Sequence, residues 1–320
     1  MILLLGMFWG LADGDAKSSF MEMGVRGSVF STGSDYESIN DAAKMLISAK
    51  VSPLFGQVKK TIPEEAVKAP ADKKDRQPLP RGAVSLKNET DYEIDVQSLL
   101  KEKLKISTKN PKVLIVHTHA SESYTPDEKY YYEETDNYRT DDCNYNMIRV
   151  GEVLAKSLKS NGIDVIHAKT INDRPSYNAS YNKTKSVIES HLKKDSDIVF
   201  VFDIHRDALG DEGNAAKFVK NIDGEDCAQV MMVCGTDTNL ENPRWRENLK
   251  LALNIQSYLE GMHPGFMRPV NLRRERFNMH LTTGSLIFEV GANGNTLTEA
   301  IASAQYLGEG LAEFIKECIK

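Results

Sequence analysis

Cysteine is scarce in this chain. Cys143, Cys227, Cys234 and Cys318 are the only four in 320 residues, and none forms a C-x-x-C pair. That argues against a disulfide scaffold at this size and against a thiolate zinc site. A Cys227–Cys234 bridge is the alternative to the buried free thiols that we expect. A basic excess is also missing: 40 Lys and Arg stand against 46 Asp and Glu, a net charge of −6, which disfavours a general nucleic-acid binder. There is no P-loop and no G-x-S-x-G elbow, so phosphate cradling and elbow-serine catalysis lack their residues. Cys143 follows two acids, which discourage its thiolate. The N-terminal run MILLLGMFWGLA carries no charge, but a membrane span needs about 20 apolar residues. It also lacks the basic residues that precede a signal-peptide core. We read it as the stub of a longer anchor or as a short buried element.

What is present is an ordinary globular composition, 41% apolar and 27% charged. Three regions are expected. Residues 1–30 form a short apolar segment, a possible anchor remnant. Residues 31–84 hold one helix over Asp35–Ala49 and a Pro/Lys/Glu-rich extended linker. Residues 85–320 form the main domain, where strand and helix patterns alternate. After a short helix in Ile94–Leu104, strands are expected at Val113–Val116, Ile163–Ala168, Ile198–Asp203, Gln229–Cys234 and Ser285–Glu289. Longer helices are expected at Asn144–Asn161, Tyr181–Lys194, from Asn242-Pro243 (as N-cap and first turn) to Gly261, and after the Thr296–Glu299 capping box. The alternation predicts an α/β fold, a mostly parallel central sheet flanked by helices, with an N-terminal extension.

The polar residues that end these strands are the candidate site. His205, Arg206 and Asp207 follow the run Ile198–Asp203. The plainer alternative is a strand that simply reaches water. His117 and His119 follow Val113–Val116, and their i, i+2 spacing puts them on one face if the strand continues. His119, further out, is our choice as ligand; His117 orients a ligand or binds substrate. A hydrolytic zinc ion takes three protein ligands and leaves one position open. Asp142, placed just before a helix, is our choice for the third, with a plain N-cap as its competitor. Glu122 is the alternative as ligand, as a support for a ligand or as a catalytic group, and Glu133, Glu134 and Asp141 are further candidates. Glu289 ends its own strand, where an unpaired carboxylate is costly. Beside a zinc-activated water it would act as general base and then acid; an ion pair with Arg206 is its alternative. Arg206 or backbone N–H groups would stabilise the oxyanion.

Four stretches, HTHASESY (117–124), SYNASYNKT (176–184), DIHRDA (203–208) and FEVGANGNTLTEA (288–300), occur in the order that resembles the stage II sporulation protein P family of endospore formers. The order of strand-end His, carboxylate before a helix, strand-end His and strand-end Glu also resembles the wider zinc N-acetylmuramoyl-L-alanine amidases. The resemblance covers roughly residues 85–320. It implies a zinc-dependent peptidoglycan hydrolase that cuts the amide between N-acetylmuramic acid and L-alanine during forespore engulfment, with peptide cross-links as a possible second target. It implies His119 and His205 as zinc ligands and Glu289 as acid/base, with stage II sporulation proteins D and M as partners. It also implies an extracytoplasmic, membrane-anchored location at the sporulation septum. The sequence departs from the wider amidases in carrying Asp141-Asp142-Cys143 where they usually carry glutamate. The competing readings are a zinc endopeptidase acting only on cross-links and a non-catalytic wall-binding scaffold.

Overall fold

The structure is a computed structural model that describes residues 81–320, apart from Lys105, Ser107, residues 211–213 and Lys320. The expected Asp35–Ala49 helix, the N-terminal apolar run and nearly all of the linker lie outside the described residues. Chain contacts divide the molecule into Met1–Thr61 with Asp211–Asn214, and Ile62–Gly210 with Ala215–Lys320. The second unit is the one described below.

Its elements in chain order are β1 (Leu86–Asn88), α1 (Val96–Lys101), β2 (Lys112–Val116), α2 (Met147–Ser160), β3 (Val165–His167), α3 (Ser180–Leu192), β4 (Ile198–Asp207), β5 (Val219–Ile222), β6 (Glu225–Ala228), β7 (Val230–Gly235), α4 (Trp245–Met262), β8 (Val270–Arg273), β9 (Gly284–Ala292) and α5 (Leu297–Cys318). Seven strands form one sheet in the order β1-β8-β7-β9-β4-β2-β3, and β5 and β6 form a separate hairpin. Every pair in the large sheet is parallel except β7–β9. The expected α/β architecture with a mostly parallel sheet is therefore what the chain adopts.

Side chains that alternate along each strand build the two faces. Val113 and Ile115 of β2, Phe200, Phe202 and Ile204 of β4, and Phe288 and Val290 of β9 join the large core with α2, α4 and α5. Leu114, Val116 and Val201 pack instead with Ile188 of α3. Both faces are covered, as parallel strands require. Phe202 and Phe288 meet edge to face at 4.9 Å across β4 and β9.

The helix ends follow local chemistry. α2 closes with Gly162 at φ +77°, whose N–H donates to Lys159 O at 2.9 Å. α5 opens with the expected Thr296–Glu299 capping box. Two ends differ from expectation. The N-cap of α2 is Asn146, whose side chain accepts from the Ile148 N–H, because the residues from Asp142 onward are spent on a preceding turn. Asn242 likewise lies in a turn before α4. Its buried amide donates to Gly235 O at 3.3 Å, and α4 starts at Trp245 and runs past Gly261 to Met262. The sequence reading missed β1, β8 and the β5–β6 hairpin. In the last, Asp223-Gly224 holds φ +52° and +88°, the two-residue turn with both angles positive that Asp-Gly favours.

Candidate active site

The alternation of faces brings the site together. Beyond Phe202 and Phe288, the odd-numbered residues Asp203, His205 and Glu289 point to the α3 face. His205 and Glu289 are direct partners in the β4–β9 register. β2 ends at Val116, and its last outward steps diverge. His117 faces α2, and Thr118 faces α3, where its hydroxyl donates to Asp203 at 2.5 Å and lies 3.1 Å from the Thr184 hydroxyl. A turn then begins, closed by the Glu122 N–H donating to His119 O at 3.2 Å. That turn swings His119 off the His117 face and over to His205, with ring centroids 5.3 Å apart. The turn, not the strand, decides the i, i+2 question.

His119 is nearly buried, stacked on Tyr177 at 4.3 Å and 7° and edge-on to Tyr181 at 5.6 Å. Burial drives its pKa down to about 4, so it is a neutral donor. Glu122 is buried; one oxygen meets Arg139 at 3.2 Å, and the other lies 3.8 Å from His205 Nδ1. Burial works against its charge, but Arg206, His205 and His119 outweigh burial and hold its pKa below the usual value. His205 Nε2 is 3.0 Å from Asp203 Oδ1, an ionic contact that is not aligned as a hydrogen bond. Burial opposes the charge on His205, yet the carboxylates of Asp203, Glu289 and Glu122 raise its pKa to about 10. Asp203 takes the Thr118 N–H at 2.8 Å; against burial, His205 and Thr118 hold it at about 2. Burial pushes Glu289 up to about 8, with Glu122 and Asp207 adding to the rise and His205 opposing it.

Three side-chain atoms of this cluster are buried without a hydrogen-bond partner, His119 Nδ1, Glu122 Oε2 and Glu289 Oε2, while His205 turns Nε2 to Asp203 and Nδ1 toward Glu122. Buried polar atoms are normally satisfied, so three orphans in one place mark a site built for something else. Two imidazoles and two carboxylates are a donor set that suits a zinc ion. Among the described residues no three such side chains are already drawn around one point at metal-ligand spacing.

The other expected site residues fall elsewhere. Asp142 is exposed on its turn, with its carboxylate taken by the backbone and side-chain N–H groups of Asn144. Glu133 and Glu134 are exposed too, and Glu134 accepts from Tyr138 N at 3.2 Å. Asp141 pairs with Arg174. Of the carboxylates considered for the third ligand, Glu122 is the one that meets the histidines. Arg206 is buried and donates to Ser123 O at 2.8 Å, Tyr138 O at 3.2 Å and Asp207 O at 3.4 Å. It braces the 123–138 loop and acts on Glu122 through its charge. His117 Nδ1 lies 3.2 Å from Ile204 O, and His117 Nε2 lies 2.8 Å from His167 Nε2. A carbonyl only accepts, so His117 carries its proton on Nδ1 and His167 donates from Nε2. Burial lowers the two pKa values to about 4 and about 3.

Sequence reasoning missed four residues. Arg139 is fixed by Ser121, Asp173 and Glu122 and lies over the Tyr177 ring at 5.0 Å. Asp203 was read only as the end of a strand, and Tyr177 and Tyr181 only as part of a stretch of resemblance. The signal for Asp203 was its i, i−2 position to His205. Tyr138 and Phe277 hold φ +49° and +52°, strained values for aromatic residues that cost on the order of 1–3 kcal/mol each and gather at functional sites.

Fold and site together define a three-layer α/β protein with a histidine–carboxylate centre at the ends of its parallel strands. The chain belongs to the stage II sporulation protein P family, whose model matches residues 35–312. Stage II sporulation protein P of Bacillus subtilis (strain 168) is 28% identical over 212 residues, 63% of this chain and 50% of that protein. The chain thus spans about half the length of the curated relative it matches. Among solved structures it is similar to the apo N-acetylmuramyl-L-alanine amidase from Mycobacterium abscessus, with a TM-score of 0.38, 10% identity, and coverage of 64% of this chain and 98% of that one. It is also similar to an N-acetylmuramoyl-L-alanine amidase from Clostridium difficile 630, with a TM-score of 0.37, 14% identity, and coverage of 65% and 96%. These superpositions are partial, and the assignment rests on the family match.

Proposed function

We propose that this protein is a zinc-dependent peptidoglycan hydrolase of sporulation that cuts the amide between N-acetylmuramic acid and L-alanine. The observation that carries the reading is the set of three orphaned atoms on His119, Glu122 and Glu289 gathered beside His205. His119, Glu122 and His205 would hold the ion, with small rotamer changes closing the 3.8 Å gap between Glu122 and His205. Asp203 would orient His205 from behind, the usual second support of a ligating histidine. The chemistry that a bound zinc ion supplies is Lewis acidity toward the carbonyl and the attacking water.

Glu289 supplies the proton transfers. A pKa of about 8 lies close enough to neutrality to serve both roles, as acceptor from water and as donor to the departing alanine nitrogen. Its partly buried place beside His205 in the register fixes it against the reacting centre. Family membership supports peptidoglycan as substrate, stage II sporulation proteins D and M as partners, and an anchored, extracytoplasmic place at the septum during engulfment. No helix among the described residues is long and apolar enough to cross a membrane.

The test is mass spectrometry of purified peptidoglycan after digestion, with chelator and then with zinc restored. Stem peptides with new L-alanine N-termini, lost with chelator and regained with zinc, are the expected products. Cleaved cross-links with stems still on the glycan would replace the amidase reading with an endopeptidase. Zinc-free protein without product would favour the scaffold.

A further inference from the structure

The site needs a donor for the charge that develops on the scissile carbonyl oxygen. Each nitrogen of Arg206 already holds a backbone carbonyl. Both terminal nitrogens of Arg139 are engaged by Ser121, Asp173 and Glu122. A neutral donor stands closer to the histidines. Tyr181 stands at the start of α3, on the sheet face to which Asp203, His205 and Glu289 point. Its ring is edge-on to His119 at 5.6 Å and packs on Phe277 at 5.7 Å. Its hydroxyl has no hydrogen-bond partner among the described residues.

We propose that the Tyr181 hydroxyl is a catalytic hydrogen-bond donor to the carbonyl oxygen of the amide under attack. This rests on the hydrolase reading above. Water oxygen forms the new bond to carbon while the carbonyl π pair moves onto oxygen, and Glu289 takes the water proton. As the intermediate collapses, the C–N bond breaks and its electron pair leaves on nitrogen with the proton that Glu289 returns. Tyr181 keeps its own proton and stabilises the oxyanion in between, the role in which one preorganised donor commonly matters most.

Two further observations support the assignment. Its backbone is held: Asn278 donates to Tyr181 O at 2.9 Å, and one turn on, the Thr184 hydroxyl lies 3.1 Å from that of Thr118, which in turn binds Asp203. The ring beneath it, Phe277, sits in the strained left-handed region, a conformation that needs a reason.

The experiment compares Tyr181→Phe with wild type, both zinc-loaded, on peptidoglycan and against a phosphinic-acid analogue of a muramoyl-alanine amide, with zinc content and thermal midpoint measured alongside. The expected result is a kcat lowered by about 10²–10³-fold with KM within about two-fold. Zinc content should be unchanged, and affinity for the analogue should be lowered by a comparable factor. The Phe ring preserves the packing, so the midpoint should hold. An unchanged kcat in Tyr181→Phe, or a lowered kcat with unaltered analogue affinity, would overturn the role of Tyr181 while leaving the hydrolase reading intact. Wild type that cleaves only cross-links would overturn the amidase reading while leaving Tyr181 testable on that amide. Wild type that cleaves no amide and binds no analogue would overturn both.

Discussion

His117 and His119 are two residues apart, yet one joins His167 in a closed pair and the other joins His205 in an open one. His117 has both nitrogens engaged, by Ile204 O and by His167, and lies under α2 where Gly151 leaves room for it. His119 has an orphaned nitrogen and faces Glu122, His205 and Tyr177. The two pairs are of the same residue type and lie at the same C-terminal end of the parallel strands. Hydrogen-bond completion separates them: a satisfied histidine is structure, and an unsatisfied one is chemistry waiting for a ligand.

The contrast can be broken most strongly at His119. His119→Ala should lose zinc and turnover together while keeping the fold, and His167→Ala should keep zinc and lose stability by about 1–3 kcal/mol, because His117 is left with an unpaired buried nitrogen. Metal analysis and denaturant unfolding of both variants read this directly. Equal zinc loss in the two would erase the distinction. The next effect is at Asp203, the carboxylate behind His205. Asp203→Asn should weaken zinc about 10–100-fold, measured by competition with a chromogenic chelator.

Gly151 sharpens the closed side. A Cβ there would stand 2.5 Å from His117 Cε1 and Nε2 and 2.8 Å from His167 Nε2. Gly151→Ala gains about 1 kcal/mol of helix propensity but overpacks the pair by about 1–3 kcal/mol. The expected net is a lowered unfolding midpoint with zinc binding retained. The smallest effect lies on the open side and is read without metal. Burial raises Glu289 from 4.5 to about 8. Between those values the unfolded chain has released the proton and the folded chain has not, so stability falls as pH rises through this window. Glu289→Gln cannot ionise. Its stability advantage over wild type should therefore grow from pH 5 to pH 8 and then level off; a constant margin would show that Glu289 is not strained by burial.

How much of this was legible depended on what kind of signal each residue leaves. His205 and Glu289 were readable because an apolar strand that ends in polar groups advertises its end, and register between neighbouring parallel strands then put them side by side. Glu122 was harder. Four other nearby acids, Glu133, Glu134, Asp141 and Asp142, compete with it in sequence, and only the turn after Val116 selects it. Arg206 looked catalytic because it sits between His205 and Asp207, but strand alternation carries it away from the face of its neighbours. The hairpin at Asp223-Gly224 carried a readable turn signal that went unread. The reversal of β7 carried none, since Val230–Gly235 is buried on both faces and its pattern is the same in either direction.

The stacking of His119 against Tyr177 has an optical and magnetic side. Tyr177 is 49% exposed, and its ring lies nearly flat, 4.3 Å from the His119 imidazole, while Tyr181 and His205 approach edge-on. Ring currents from these neighbours should displace the His119 carbon-bound proton resonances from those of the other six histidines. One imidazole in the molecule thus carries its own spectral label, and the arrival of a ligand at the centre can be followed at that single ring.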